Sequence, residues 1–224
     1  MTDPRGRRAA SVRLLSLIAA ACFTATAAWP AVAQEAPDAL VKRVSNELLQ
    51  LVRTDKDLAA GNQRKVVEVA EQKVLPHFDF ERMTRLAVGR NWQQANDAQK
   101  QALIKEFRTL LVRTYSSSLS AYRNQTIEVK PLKMSAQDKD TTVRTQVIQP
   151  GGPPIPIDYA MEKAADGSWK VYDVVVDGAS LVTTYRGSFN DQIQKGGIDG
   201  LVKTLQERNQ SPEPPKPAAG AAKK

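Results

Sequence analysis

His77 is the only histidine, so any imidazole-based triad or zinc site in this chain would have to use it. It stands between Pro76 and Phe78 with Asp79 two residues on. That setting reads as a capped helix start with a partly packed ring, and no G-x-S-x-G nucleophile turn accompanies it. Asp158, Asp173 and Asp177 are the carboxylates an acid–base mechanism would draw on, the last two expected on one side of a strand with Trp169, Val171 and Val175. Ser180, Tyr185 and Arg186 gather polar groups where that strand gives way to helix. Spacing alone makes no catalytic site of these residues. The chain lacks the set of ligands a zinc site needs, and Walker and Rossmann glycine patterns are absent, which argues against metal and nucleotide.

The remaining candidate nucleophile, Cys22, is the only cysteine, and it falls inside a leader. Arg5, Arg7, Arg8 and Arg13 precede an apolar run from Leu14 to Ala28, and Ala31-Val32-Ala33 follows as a small-x-small cleavage site, so residues 1–33 read as a signal peptide. Ala19 stands where a lipoprotein signal carries Leu, and Ala9-Ala10 follow Arg7-Arg8 where a twin-arginine signal wants a bulky apolar residue. Cleavage after Ala33 leaves no thiol for a disulfide or a metal. At the other end, residues 211–224 (SPEPPKPAAGAAKK) form a Pro/Ala/Lys tail with no apolar periodicity, expected to be disordered.

The whole chain has 224 residues and a net charge of +8. Without the leader's four arginines and one aspartate and the tail's three lysines and one glutamate, the body keeps 25 basic against 22 acidic residues, only +3. That excess is too small and too scattered for a nucleic-acid surface. The body, residues 34–210, is expected to form a single domain.

The elements that would position these residues follow from hydrophobic period. Leu40, Val41, Val44, Leu48, Leu51 and Val52 make the apolar stripe of a first helix with Asp38 as expected N-cap. A second helix is expected over 63–75, ended by Pro76, and a short third over 79–89. Asn96 and Gln99 form a capping-box pattern that opens the longest expected helix, roughly 25 residues or about 37 Å. Past Asn124 the period drops from 3.6 to 2, giving strands over 126–133, 141–149, 155–163 and 168–177. Short helices are expected over 179–185, 188–194 and 198–205, punctuated by glycines. Helices, an antiparallel meander and helices again make an α+β domain whose helices cover one face of a four-stranded sheet.

The segments Val74–Pro131 and Trp169–Leu205 resemble the MlaC, or toluene-tolerance, family of periplasmic phospholipid carriers. The likeness rests on Leu86-x-x-Gly89-x-x-Trp92, on Phe107, Leu111 and Tyr115 along one helix, on the run Tyr172 to Ser180 (YDVVVDGAS), and on Gly197 to Leu201 (GIDGL). It covers roughly residues 36–207. The resemblance implies an NTF2-like cone in which a curved antiparallel sheet and helices enclose an apolar cavity, acyl chains inside and headgroup toward solvent. It also implies a carrier and not an enzyme, with no cofactor beyond bound phospholipid as cargo. Working as a monomer in the periplasm, it would exchange that cargo with an outer-membrane MlaA-type lipoprotein and an inner-membrane MlaFEDB-type ABC transporter.

Within that frame the expected lining comes from the long helix (Leu103, Phe107, Leu110, Leu111, Tyr115, Leu119), from the sheet (Val143, Val147, Ile155, Ile157, Tyr159, Met161, Val171, Val174, Val176) and from the segment after it (Leu181, Val182, Tyr185). Both faces of the last strand are represented because its unbroken apolar run does not show which points inward. Arg82, Arg85, Arg90 and Arg186 are candidate contacts for headgroups or partners. Two alternatives stand beside this reading: a carrier of another apolar lipid, such as a hopanoid or sterol-like molecule, and a hydrolase-type enzyme on the same fold using His77 or Asp173 as base.

Overall fold

In the computed structural model, residues 34–120, 124–135, 137–213 and 215 are described. The expected leader with Cys22 and most of the expected tail lie outside the described residues. Helix α1 (Pro37–Thr54) begins one residue before its expected cap: Pro37 takes the first helical position and Ala36 the extended cap geometry. Asp38 sits instead in the first turn, where its charge complements the positive helix end. Asp55 closes α1 and caps α2 (Lys56–Ala59), accepting bonds from the Asp57 and Leu58 amides, and Asn62 caps α3 (Gln63–Val69) in the same way.

The helix expected to run on to residue 75 does not stay α-helical. After Val69 the backbone widens into a π turn (Ala70–Val74) and then tightens into a 3-10 turn (Leu75–His77). Pro76 explains the change, because it has no N–H to give and its ring would clash with the carbonyl four residues back. Asp79 Oδ1 then accepts the Arg82 amide at 2.8 Å to start α4 (Phe80–Val88), which Gly89 ends at φ 64°. The reciprocal box at Asn96 and Gln99 forms as read, with bonds of 2.9 and 3.1 Å. It opens α5 (Asp97–Ser120), 24 residues long.

The sheet has five strands, one more than expected, in the order β1 (Thr126–Val129), β2 (Asp140–Ile148), β3 (Ile155–Lys163), β4 (Trp169–Val176) and β5 (Ala179–Ser180), every neighbouring pair antiparallel. The added strand exists because Asp177 and Gly178 both take positive φ, 49° and 81°, and fold the chain straight back on β4. Three expected C-terminal helices are one, α6 (Leu181–Gln210), broken only at Gly197. Gly187 does not interrupt it. An interior glycine costs about 1 kcal/mol of helix propensity, and burial of Tyr185, Phe189, Ile198, Leu201 and Leu205 along α6 outweighs that.

Two main clusters make the core. One joins α4, α5 and α6 around Met83, Ala87, Leu103, Phe107, Phe189 and Leu201. The other joins α1 to the sheet through Leu40, Val41, Val143, Met161, Trp169, Val171, Val174 and Leu181. Phe78 and Tyr115, partly buried, pack against both. Among the described residues no helix is long and apolar enough to cross a membrane.

Candidate functional site

The residues with the most chemistry are largely occupied by structure. Asp173 accepts hydrogen bonds from the Val174 amide (2.9 Å), the Val182 amide (3.1 Å) and Ser180 Oγ (2.5 Å), so its carboxylate holds the start of α6. Ser180 Oγ itself accepts the Thr183 amide as the N-cap of that helix. Asp177 is a turn residue, and Asp158 lies in the sheet opposite Arg144 and Val175. No group of three metal-ligating side chains is present among the described residues.

The apolar side of the sheet is organised by a β-bulge. Along β3 and β4 the pairs run Ile157 with Val176, Tyr159 with Val174, then after a slip at Ala160/Met161, Met161 with Val171. One extra residue in β4 reverses the in–out alternation. Trp169 and Val171 before the bulge, and Val174 and Val176 after it, therefore face the same side as Ile155, Ile157, Tyr159 and Met161 of β3. Register carries that face onto Val143, Thr145 and Val147 of β2, with the Thr145 hydroxyl donating to the Ile157 carbonyl at 2.7 Å.

Among the described residues, two cavities lie between this face and α1. One, of about 80 Å³, is bounded by Leu40, Val41, Val44, Val74, His77, Phe78, Met161 and Val171; the other, of about 130 Å³, by Leu49, Val52, Val69, Ile127, Val147 and Ile157. Ser45, Leu48 and Tyr159 border both. Leu40 to Val52 spans about 18 Å of helix, so the two form a discontinuous apolar slot along α1.

Of the expected lining, Val147, Ile157, Tyr159, Met161 and Val171 border these cavities, and Val143, Ile155, Val174 and Val176 share their face of the sheet. Leu103, Phe107, Leu110, Leu111, Val182 and Tyr185 border neither; they are buried in the cluster of α4, α5 and α6. Tyr115 packs between the clusters and Leu181 belongs to the sheet cluster. The side chain of Leu119 lies outside the described residues. Sequence reading passed over the α1 contribution, although its stripe was visible, because a stripe says that a face is covered and not what covers it.

The end of the slot near His77 is ringed by charge. Arg43 pairs with Glu35 at 2.7 Å and Glu47 at 4.0 Å, and Lys73 reaches Glu47 at 2.6 Å. Lys170 Nζ donates to the Pro76 carbonyl at 2.6 Å. Burial, with help from the Arg43 and Lys170 charges, holds the His77 imidazole below its ordinary 6.5. Its folded pKa being depressed, the unfolded chain takes up the proton first. Stability is therefore expected to fall as pH drops below about 6.5, and less steeply in His77→Gln. Urea titrations at pH 7.5 and 5.5 check this, and identical slopes for the two proteins would remove His77 as the cause.

Of the four candidate arginines, Arg82 is engaged: it pairs with Glu162, bonds Asp140 at 3.0 Å and lies 3.5 Å from the centre of the Tyr172 ring. Arg85 is exposed on α4. Arg90 and Arg186 lie away from the slot, on a groove of their own.

The family model described as MlaC protein matches residues 42–207. The chain is 42% identical to a phospholipid-binding protein from Ralstonia solanacearum whose structure was solved with a phospholipid, covering 79% of this chain and 97% of that one with a TM-score of 0.72. It is 23% identical over 184 residues to the intermembrane phospholipid transport system binding protein MlaC of Haemophilus influenzae, 81% of this chain and 86% of the relative. Over 213 residues it is 26% identical to the toluene tolerance protein ttg2D of Pseudomonas putida, 89% of this chain and 98% of the relative.

Proposed function

Since the chain belongs to the MlaC family, we propose that it is a phospholipid carrier that holds acyl chains between α1 and the apolar face of the sheet. The observation that carries this reading is the aligned rows from β2 to β4, facing α1 across two apolar cavities. Two acyl chains of about thirty methylenes would cost on the order of 24 kcal/mol to leave in water at about 0.8 kcal/mol each. A carrier must therefore cover nearly all of that surface. Cavities of about 80 and 130 Å³ are smaller than the roughly 300–1,000 Å³ that encloses an ordinary small ligand. Loading then requires Ser45, Leu48 and Tyr159 to part and join the two.

The reading places the protein in the periplasm as a monomer after export by residues 1–33. There it moves phospholipid between an MlaA-type outer-membrane lipoprotein and an MlaFEDB-type inner-membrane transporter. Relatives named for phospholipid binding and transport support it, as does a fold shared with a structure that holds a phospholipid. With no source of energy in the carrier itself, direction belongs to the machinery on either side.

Native mass spectrometry of the protein purified without detergent tests the proposal. Phospholipid released at about one molecule per chain is the expected result. A hopanoid or sterol-like mass would replace the cargo class, and a bare protein that takes up no lipid from vesicles would end the carrier reading.

A further inference from the structure

A groove of about 350 Å³ lies between the turn that follows α4 and the first half of α6, bordered by Gly89, Arg90, Asn91, Arg186, Gly187 and Asn190 among others. It shares no bordering residue with the two apolar cavities, and nothing in the carrier reading requires it. Its chemistry is of one kind. No Asp or Glu borders it, and among the described residues neither Arg90 nor Arg186 has a carboxylate within 4 Å.

Arg186 is also held in place. Its Nε donates to the Leu86 carbonyl at 2.9 Å, which fixes the plane of the guanidinium and leaves its two terminal nitrogens without a partner among the described residues. Asn91 and Asn190 meet across the groove at 3.5 Å, a long contact that leaves carboxamide donors to spare. A Cβ added at Gly89 or Gly187 would meet nothing within 4 Å, so the space above both backbones is open. Two cations at the rim of one open groove, one with a preset planar fork and both flanked by neutral amide donors, complement a tetrahedral oxyanion.

We infer that this groove binds a phosphate oxyanion, presented either by an anionic lipid headgroup or by a phosphate ester in solution. The test uses the purified protein in two arms: co-sedimentation with vesicles of phosphatidylglycerol in phosphatidylcholine against phosphatidylcholine alone, and an NMR titration with glycerol 3-phosphate in which the Gly89 and Gly187 amides are followed. Removing both guanidiniums (Arg90→Ala with Arg186→Ala) should weaken binding on the order of tenfold or more, as loss of hydrogen bonds to a charged group implies. The double change to Lys should restore only part of it, since an ammonium lacks the fork.

Arg186→Ala also loses the Leu86 bond, so Gly187→Glu serves as the second variant: it leaves both arginines, suits an exposed helical position, and should repel the anion. Cargo content by native mass spectrometry should stay at the parent level in all of these. Saturable shifts without vesicles assign the site to a soluble phosphate ester, and variant-sensitive binding to charged vesicles alone assigns it to headgroups. Binding in both arms that is indifferent to the variants would overturn the inference. So would failure to bind in both arms.

Discussion

Ser45→Phe yields a folded protein that carries at least tenfold less phospholipid per chain. Ser45 is buried on the sheet-facing side of α1 and, with Leu48 and Tyr159, borders both apolar cavities. A larger side chain in a well-packed interior costs about 1–3 kcal/mol through strain. Here the cavities on either side, about 80 and 130 Å³, receive the ring, so the melting temperature stays near that of the parent or rises. The same ring occupies the place where the two cavities must merge for acyl chains to enter. Val147→Phe, from the opposite wall, should act in the same direction with more strain, because Val147 is only 2% exposed. Lipid content by native mass spectrometry and thermal unfolding by circular dichroism give the two readouts. Parent-level lipid in both variants would put the acyl chains somewhere other than between α1 and the sheet.

Phe107→Ala acts on the other half of the molecule and is the most damaging single change expected. Phe107 is fully buried, its ring edge-on to Tyr185 and to Phe189 with centroids 5.1 Å away in each case. Truncating a buried phenylalanine costs about 3–5 kcal/mol, a large share of the roughly 5–15 kcal/mol that holds an ordinary domain together. For a domain of this size that is a drop in Tm of about 6–20 °C. The milder Phe107→Leu should lose part of that stability while each folded molecule keeps its phospholipid, since the residue borders neither cavity. Were Phe107→Leu to melt like the parent yet lose its lipid, the ring would be a wall of the cargo site after all.

These two predictions separate helices that look alike in the sequence. The stripe of α5, with Leu103, Phe107, Leu110 and Leu111, was expected to line the cargo site, and the stripe of α1 was read as an amphipathic helix with no stated role. In the fold α4 and α6 close on α5 and bury its stripe, while α1 lies over the sheet with cavities beneath it. Periodicity shows how much of a helix is covered; the identity of the cover depends on contacts between residues far apart in the chain. The same holds for Arg82, whose carboxylate partners Asp140 and Glu162 come from separate strands.

The sequence by itself determined the parts whose cause is local. The capping box at Asn96, the cap at Asp79, the end of α4 at Gly89 and the change from a period near four to a period of two are set by neighbours within a few residues. The apolar alternation of β2 and β3 was legible for the same reason. The family motifs were legible as well, and they brought the reading of function with them. Only the tertiary structure decided that α1 covers the apolar face, that one bulge turns Val171 and Val174 the same way, and that α6 runs through Gly187. In each of those cases local preferences are near balance, differing by about 1 kcal/mol or less, and burial against a distant element, worth about 1.5–3 kcal/mol for each large apolar side chain, settles the outcome.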